Sequence, residues 1–162
     1  MKFFRSEQYQ PRCLQLYEQY TLEIKRLLPD ARVEHIGASS VPSALSKGDL
    51  DIFVGVDPEY VEVSVRTLQK LGFQEKQDTL RTPELCMLES QIVNDVALQV
   101  VANGSESECY IEFRDKLIAT PRLVERYNEL KRGCEGMEHD EYRDRKAIFI
   151  AQVLGDDSRY IK

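Results

Sequence analysis

The stretch HIGASSVPSALSKGDLDIFV, residues 35–54, decides the fold of this chain. A glycine and two serines come first, and two aspartates then alternate with apolar residues. Side chains point alternately to the two faces of a strand, so Asp49 and Asp51 share one face and the apolar residues beside them share the other. The α-carbons of the two aspartates then lie roughly 7 Å apart. We therefore predict a carboxylate pair at the start of a strand whose other face is buried.

Two carboxylates at this spacing suit a hard divalent cation. Mg²⁺ takes oxygen ligands and shares them with the phosphates of a substrate. Upstream, Gly37 lets a ligand approach the backbone, and we expect Ser39 to offer a hydroxyl at the start of a short helix over residues 39–45. In the alternative interpretation, Ser39 or Ser40 only caps that helix and the aspartates lie on an edge strand. The order of strand, glycine, serine, helix and strand favours a binding site over that alternative.

The rest of the chain predicts an α+β fold. Helical spacing covers residues 11–30 and 59–72, and three further helical segments follow Ser105, with breaks near Pro121 and around Gly133–Gly136. Strands are predicted over residues 31–37, 49–56, 73–78, 84–90 and 95–101. We expect a mixed β-sheet with flanking helices and a helical C-terminal third. The whole chain, 1–162, is predicted to be a single domain with a sheet-containing core over 1–104 and C-terminal helices over 105–162.

Composition and charge narrow the class of protein. The formal net charge is −6, which argues against a general nucleic-acid-binding protein. No apolar run is long enough to span a bilayer or to act as a secretory signal, so we expect a cytoplasmic protein. The four cysteines are scattered and the chain has two histidines, so we expect reduced, packed thiols and no zinc site. Of the histidines, His35 is expected to hydrogen-bond within the sheet; orienting a ligand is the alternative.

Larger stretches of the chain resemble a known family. The glycine, serine and two aspartates named above have a spacing similar to the signature of the nucleotidyltransferase superfamily. More closely, VEHIGASSVPSALSKGDLDI, residues 33–52, resembles the GrpB family (UPF0157-type) of nucleotidyltransferase-like proteins. The resemblance continues in FRDKLIATPRLVERYNELKR, residues 113–132, and in DEYRDRKAIFIAQVL, residues 140–154. It implies a nucleotidyltransferase-like fold for nearly the whole chain.

The resemblance also implies roles for individual residues. It implies phosphate contact at Gly37 and Ser39, and metal ligation and catalysis at Asp49 and Asp51 with Mg²⁺ or Mn²⁺. Lys47 matches a lysine that the family shares. Many relatives keep only the second aspartate, so this chain is nearer to the active superfamily pattern, which favours metal binding.

One part of the superfamily site is missing from the sequence. Active members usually add a third carboxylate from a neighbouring strand, and the matching strand here is DVALQVV, residues 95–101. If Val96, Leu98 and Val100 face the core, then Asp95, Ala97, Gln99 and Val101 face the other way. Gln99 can orient a water or a phosphate but cannot take a proton. Asp95 is placed too near the start of the strand, and Glu89 lies on a different segment. This gap weighs against full catalytic competence.

A second signal lies in the three C-terminal helical segments. Each places one cation beside an apolar stripe at helical spacing: Arg114, Lys131 and then Lys146, which lies near Tyr142. A single cation of this kind usually lies at the rim of a core with its charged end in water. Three in succession predict a shared anion pocket for a triphosphate or a phosphorylated acceptor, with the charged ends converging beside the two aspartates.

These residues together predict a nucleotidyltransferase. It would transfer an NMP group from an NTP to an unidentified small acceptor, with Tyr142 and the cations among the nucleotide-binding residues. The expected partners are the NTP and the acceptor, with no stable nucleic acid and no membrane. The alternative is a non-catalytic module that binds a nucleotide or a phosphorylated metabolite, which the missing third carboxylate favours. A purely structural adaptor is supported only by the acidic composition.

Overall fold

A five-stranded sheet and five α-helices make up the described part of the chain. The computed structural model describes residues 1–155, so residues 156–162 of the predicted C-terminal segment lie outside the described residues. The strands are β1 (Arg32–Ile36), β2 (Leu50–Val56), β3 (Phe73–Glu75), β4 (Leu85–Ser90) and β5 (Val96–Ala102). The helices are α1 (Ser6–Leu27), α2 (Val61–Leu68), α3 (Cys109–Ala119), α4 (Pro121–Cys134) and α5 (His139–Val153). The predicted α+β class, with its mixed sheet and three C-terminal helices, is confirmed.

The sheet register determines which residues can meet. The strand order is β1-β2-β5-β4-β3, in which β2 and β5 are parallel and the other neighbours are antiparallel. Asp51 lies opposite Ile36 on β1 and Ala97 on β5, and Phe53 lies opposite Gln99. Opposed residues point to the same side of a sheet. We call the side that carries Asp51 the site face and the other side the far face.

Helices α1 and α2 cover the far face. Leu50, Ile52 and Val54 are fully buried there, together with Val61 and Val65 of α2. Fully burying one such aliphatic side chain is worth about 1.5–3 kcal/mol. The alternation that places these residues inside therefore also fixes Asp51 on the opposite side.

Helix α3 covers part of the site face. Its Ile111 packs with Ile36, Phe53 and other buried side chains of the sheet. Helices α4 and α5 pack against α3 through aromatic rings, and the rings of Tyr127 and Phe149 stack with centroids 5.1 Å apart. Phe53 is fully buried, whereas Asp51, two residues earlier on the same face, is only half-buried. The carboxylate thus lies at the margin of the covered area.

The predicted short helix over residues 39–45 is wrong. A single 3₁₀ turn, Ala38–Ser40, follows Gly37, and residues 41–47 form an irregular loop. Ser43 has a φ of 67°, which a right-handed helix cannot contain, and Pro42 has no N–H to donate. The N-terminal residue of the turn is Gly37, so neither serine caps a helix.

Three of the four cysteine thiols are buried in the fold. Cys13, Cys86 and Cys134 are inaccessible and free, and Cys109 is partly exposed. A helix long and apolar enough to cross a membrane does not occur in residues 1–155.

Candidate active site

Gly37 brings the backbone directly against the carboxylate of Asp51. It follows the last residue of β1, Ile36, whose partner on β2 is Asp51. Its φ is +75°, and a Cβ built at this position would lie 2.6 Å from Asp51 Oδ2. A side chain here would be both strained and in collision with the carboxylate. The glycine therefore creates the close approach of two chain segments around one carboxylate.

Asp51 lacks a direct partner among the residues that the structure describes. Within residues 1–155 its carboxylate makes neither a hydrogen bond nor an ion pair. Burial raises the pKa of Asp51, and the neighbouring charge of Asp49 raises it further. Lys146, Lys76 and Lys47 act in the opposite direction and favour the ionised form. The carboxylate thus lies in a partly dry, cation-rich place where an ionic ligand would remove its desolvation cost.

Asp49 lies just before β2 and is more accessible. Its carboxylate forms an ion pair with Lys47, with 3.8 Å between Nζ and Oδ2, and the side chains of Lys47 and Asp49 are 33% and 40% exposed. An exposed pair of this kind contributes about 0–1 kcal/mol to stability. The pair is therefore weak enough to open for a ligand.

Ser39 is held by His35 rather than presented to solvent. Its hydroxyl is 2.8 Å from His35 Nε2, and the residue is buried. The His35 ring stacks on Tyr17 at 5.1 Å, and burial together with the charge of Arg114 lowers the pKa of His35 to about 4. The imidazole is therefore neutral near pH 7. The expectation that His35 bonds within the sheet is wrong, because its side-chain partner is the serine of the following turn.

Buried polar side chains hold the loop over residues 41–47 in place. Asn128 of α4 accepts a hydrogen bond from the Leu45 N–H at 2.8 Å and donates one to the Ser43 carbonyl at 3.0 Å. The Tyr9 hydroxyl donates to the Ala44 carbonyl at 2.6 Å. These bonds satisfy backbone N–H and C=O groups of the loop, which do not pair with one another because the predicted helix does not form. They also fix the path of the chain that leads into Lys47 and Asp49.

The predicted convergence of three cationic ends is only partly present. The Lys146 charge acts on Asp51, so α5 brings this lysine near that carboxylate. Arg114 is directed elsewhere: it pairs with Glu34 at 3.1 Å and Asp115 at 2.9 Å, and it donates to the His35 carbonyl at 3.0 Å. The guanidinium group of Arg114 is therefore already engaged by residues at the end of β1 and by Asp115.

Lys131 is buried rather than open to the cleft. Only 1% of the residue is exposed, its ammonium donates to the Leu45 carbonyl, and Nζ lies 3.9 Å from the centre of the Tyr127 ring. Burial lowers the pKa of Lys131, and the nearby charges of Lys146 and Lys47 lower it further. Lys131 thus lies close to the other two lysines while its charged end is used to hold the loop.

Tyr142 is also buried, and it lies between helices. Its ring packs edge-on against Phe3 with centroids 5.4 Å apart, and burial raises the pKa of its hydroxyl. The charge of Lys146 acts on this hydroxyl in the opposite direction. In this structure Tyr142 supports α5 beside the site and does not face an open cleft.

Sequence reasoning missed two residues beside Asp51. Lys76 follows β3, and its N–H donates to the Met87 carbonyl, which continues the pairing with β4. The register of β4 and β5 then places Lys76, Met87 and Gln99 on the site face. Tyr110 of α3 has a raised pKa, mainly because of burial, and it responds to the charges of Lys146 and Asp51. Lys76 reaches the site only through two strand pairings. The sequence around it therefore contains no local motif that would mark it as a site residue.

The register shows which residues of β4 and β5 lie beside Asp51. Ala97 occupies the position opposite Asp51 on β5, and Glu89 of β4 lies opposite Ala97, one strand further away and exposed. The described residues contain no group of three or more His, Cys, Asp or Glu side chains that could hold a metal ion. Two carboxylates, Asp49 and Asp51, are the acidic donors that the site offers.

The fold is similar to that of nucleotidyltransferases of known structure. A structure of Cid1 poly(U) polymerase bound to MgATP matches with a TM-score of 0.56 at 17% identity, over 79% of this chain and 42% of that one. The GLD-2/RNP-8 complex matches with a TM-score of 0.54 at 14% identity, over 91% of this chain and 54% of that one. The crystal structure of GrpB from Enterococcus faecalis matches with a TM-score of 0.78 at 21% identity, over 98% and 97% of the two chains. At these identities the likeness concerns the fold alone.

The sequence comparisons identify the family. Residues 5–156 match the GrpB protein family, and the chain belongs to it. A UPF0157 protein of Vibrio cholerae is 59% identical over 155 residues, which cover 96% of this chain and 82% of that protein. A UPF0157 protein of Deinococcus radiodurans is 30% identical over 141 residues, which cover 85% of this chain and 73% of that protein.

Proposed function

We propose that this protein is a divalent-metal-dependent nucleotidyltransferase that transfers an NMP group from an NTP to a small acceptor. The observation that carries the proposal is the Asp51 carboxylate, which lies against the Gly37 backbone without a partner among residues 1–155. Three lysine charges from separate parts of the chain act on it. A half-buried carboxylate among cations is favourable when a metal and an anion bind together. The nucleotidyltransferase-like fold supports the same chemistry.

Asp49 and Asp51 are the residues that would hold Mg²⁺ or Mn²⁺. Their carboxylate oxygens are the donors that such ions prefer, and two protein ligands fit Mg²⁺, which keeps several waters and takes phosphate oxygens. When bound, the ion supplies charge stabilisation to the phosphates and to the departing pyrophosphate.

The chain's own residues bind and orient the nucleotide. Lys146, Lys76 and Lys47 attract the triphosphate, whose charge exceeds that of the metal. Gly37 leaves room for a phosphate to approach the turn. Arg114 and Lys131 act indirectly, by positioning the backbone beside the site. Arg114 holds the end of β1 through the His35 carbonyl, and Lys131 holds the loop at Leu45.

An assay for pyrophosphate tests this proposal. Incubation with each NTP, Mg²⁺ or Mn²⁺ and a pool of small metabolites should release pyrophosphate and yield a nucleotidylated product detectable by mass spectrometry. Calorimetry with the same NTPs gives an independent reading of binding. Absence of metal-dependent NTP binding would refute the proposed site.

A charge-neutral variant on α5 tests the role of Lys146. Lys146→Gln should weaken binding of the triphosphate by about 1–3 kcal/mol, the range for a hydrogen bond to a charged group. Arg145→Gln is the matched control, because Arg145 lies next to it on α5 and is paired with Glu141 on the exposed side. Equal effects of the two substitutions would mean that general charge, and not the site, attracts the nucleotide.

One observation favours a second candidate, a non-catalytic nucleotide- or phosphometabolite-binding module. Ala97 occupies the β5 position opposite Asp51, where a third carboxylate would help to activate an acceptor. Tight metal-dependent NTP binding without pyrophosphate release across a broad acceptor panel would favour this module over the transferase.

A further inference from the structure

Gln99 has a buried side-chain oxygen that lacks a hydrogen-bond partner. Its Oε1 is inaccessible to solvent and receives no hydrogen bond from residues 1–155, although the residue as a whole is only half-buried. The cross-strand neighbours of Gln99 are Phe53 on β2 and Met87 on β4. A phenyl ring and a thioether have no hydrogen to donate to this oxygen. The fold therefore leaves an acceptor unpaired, whereas most buried polar groups of proteins are paired.

Gln99 lies on the site face close to Asp51. Asp51 is opposite Ala97 on β5, and Gln99 is two residues further along the same strand. With about 4.8 Å between strands and about 3.3 Å per residue, the α-carbons of Asp51 and Gln99 are roughly 8 Å apart. Long side chains can meet across a diagonal of this length. Ala97 contributes only a methyl group between them, so one ligand can contact both Asp51 and Gln99.

Lys76 lies on the other side of Gln99. Its N–H donates to the Met87 carbonyl, so a row across the site face runs from Gln99 through Met87 to Lys76. The charge of Lys76 nevertheless acts on Asp51, which belongs to the neighbouring row of the same face. A metal-bound triphosphate held between Lys76 and Asp51 would therefore lie across Ala97 and Gln99.

The unpaired oxygen limits the kind of group that can bind to it. An amide oxygen only accepts hydrogen bonds, so it needs an O–H or N–H of the ligand and cannot pair with a phosphate oxygen. In an NTP the ribose is bonded directly to the α-phosphate, and its hydroxyls are the neutral donors nearest to that phosphate. The last torsion of a glutamine side chain is broad, so a small rotation turns the oxygen of Gln99 towards such a donor.

We propose that Gln99 recognises the ribose of the nucleotide by accepting a hydrogen bond from one of its hydroxyl groups. This inference rests on the proposed function and adds to it a preference for ribonucleotides over deoxyribonucleotides. Gln99 binds the substrate and takes no proton during the transfer, because its amide is not a base. The oxygen is already unpaired in the free protein, so a ribose hydroxyl that pairs with it removes a cost of burial on binding.

Calorimetry with Mg²⁺ and either ATP, 2′-deoxy-ATP or 3′-deoxy-ATP, without an acceptor, tests this inference. The wild type should bind ATP about threefold to tenfold more tightly than one of the deoxy analogues, the range for one neutral hydrogen bond. Gln99→Met has an apolar side chain of similar size, so it should bind ATP and that analogue equally. Its melting temperature without ligand should be about 2–4 °C higher, because the unpaired oxygen is removed.

Two further variants serve as controls. Gln99→Glu keeps an acceptor oxygen at the same place and should retain the preference for ATP over the analogue. Gln74→Met makes the same change as Gln99→Met at an exposed position of the edge strand β3. It should leave both the preference and the melting temperature as in the wild type.

Two results would overturn the inference and leave the proposed function intact. The first is equal affinity of the wild type for ATP and for both deoxy analogues. The second is an unchanged preference for ATP in folded Gln99→Met, because another residue would then bind the hydroxyl. A lack of any metal-dependent ATP binding would instead refute the Asp51 site, and this inference would fail with it.

Discussion

At the scale of the residue, Asp51 combines a cost to stability with the means to bind. Its carboxylate is half-buried and next to Asp49, and in the described part of the chain it has no hydrogen bond. The free protein therefore holds a charge that burial disfavours, and a metal with a nucleotide would remove that cost. Gly37 contributes to this burial, because it lets the backbone lie directly against the carboxylate.

The Asp51→Asn variant should bind metal and NTP less tightly than the wild type and should be more stable in their absence. The folded-state pKa of Asp51 is raised, so the ionised carboxylate destabilises the fold above the unfolded pKa, and stability falls as pH rises through that region. Asn keeps the shape without the charge. We expect a gain of about 1 kcal/mol at pH 7, which corresponds to a melting temperature about 3 °C higher, and loss of Mg²⁺-dependent NTP binding. Thermal unfolding without metal and calorimetry with Mg²⁺ and NTP measure the two effects.

The control for Asp51→Asn is Glu18→Gln, which removes one negative charge from the exposed face of α1. It should change neither quantity. Unchanged metal-dependent affinity in Asp51→Asn would show that the nucleotide binds elsewhere, whatever the stability.

His35 gives the opposite pH dependence. Its folded-state pKa of about 4 lies below the unfolded value of 6.5, so protons bind the unfolded chain more tightly, and stability is lost as pH falls from about 6.5 towards 4. After allowance for the partial exposure of the ring, we expect a loss of roughly 2 kcal/mol. Denaturant unfolding between pH 7 and 4 should show a shallower pH dependence in His35→Gln. Both proteins should carry Asp51→Asn, which removes the opposing effect, and equal slopes would contradict the assignment.

At the scale of the element, periodicity predicted most of the fold, and long-range contacts explain what it missed. The strand at residues 50–56 and the three C-terminal helices follow from alternation and from helical spacing. The loop over residues 41–47 does not, because its backbone is paired with Asn128 and Lys131, more than 80 residues away along the chain. A local pattern cannot reveal partners at that separation.

The same difference applies to the candidate site. Gly37, Lys47 and the aspartates lie within fifteen residues and form a readable motif. Lys76 reaches the site face only through the pairing of β3 with β4 and of β4 with β5. Arg114 and Lys131 were predicted from their helix stripes, but helical spacing specifies a direction and not the partner that the charged end finds. For both, a backbone carbonyl is one of those partners.

Asn128 is the residue through which α4 should control the loop. Asn128→Ala leaves the Leu45 N–H and the Ser43 carbonyl without partners, so we expect a loss of about 2 kcal/mol in the free energy of unfolding. Because the loop leads into Lys47 and Asp49, metal-dependent NTP affinity should fall as well, measured at a temperature where the variant is folded.

Ser43→Gly provides the matched control for the loop. Ser43 has a φ of 67°, which costs about 1–2 kcal/mol for a residue with a Cβ, so glycine should relieve strain without removing either Asn128 bond. In the double variant, part of the stability lost through Asn128→Ala should return. Full NTP affinity in folded Asn128→Ala would show that the loop does not position the aspartates.

At the scale of the whole molecule, positive charge is concentrated at the candidate site although the net charge of the chain is negative. The chain has a net charge of −6, yet Lys47, Lys76 and Lys146 come together around the aspartates from three separate parts of the fold. The electrostatic field of these three lysines attracts a compact anion over short distances. It is screened within about 8–10 Å at physiological salt. A polymer that extends beyond the site would meet a molecule whose net charge is negative. The distribution therefore favours a nucleotide and a small acceptor over a long nucleic acid.

This charge distribution predicts weak binding of RNA. A labelled 20-nucleotide single-stranded RNA should bind with a Kd weaker than about 10⁻⁴ M at 0.15 M salt, the weak limit of non-specific binding, because few phosphates could be neutralised at once. Fluorescence anisotropy at 0.05 and 0.15 M salt measures both the affinity and its salt dependence. Metal-dependent binding of an NTP, followed in the same preparation, shows that the site is intact. Micromolar RNA binding with a steep salt dependence would reveal an extended basic track, and the acceptor would then have to be sought among nucleic acids.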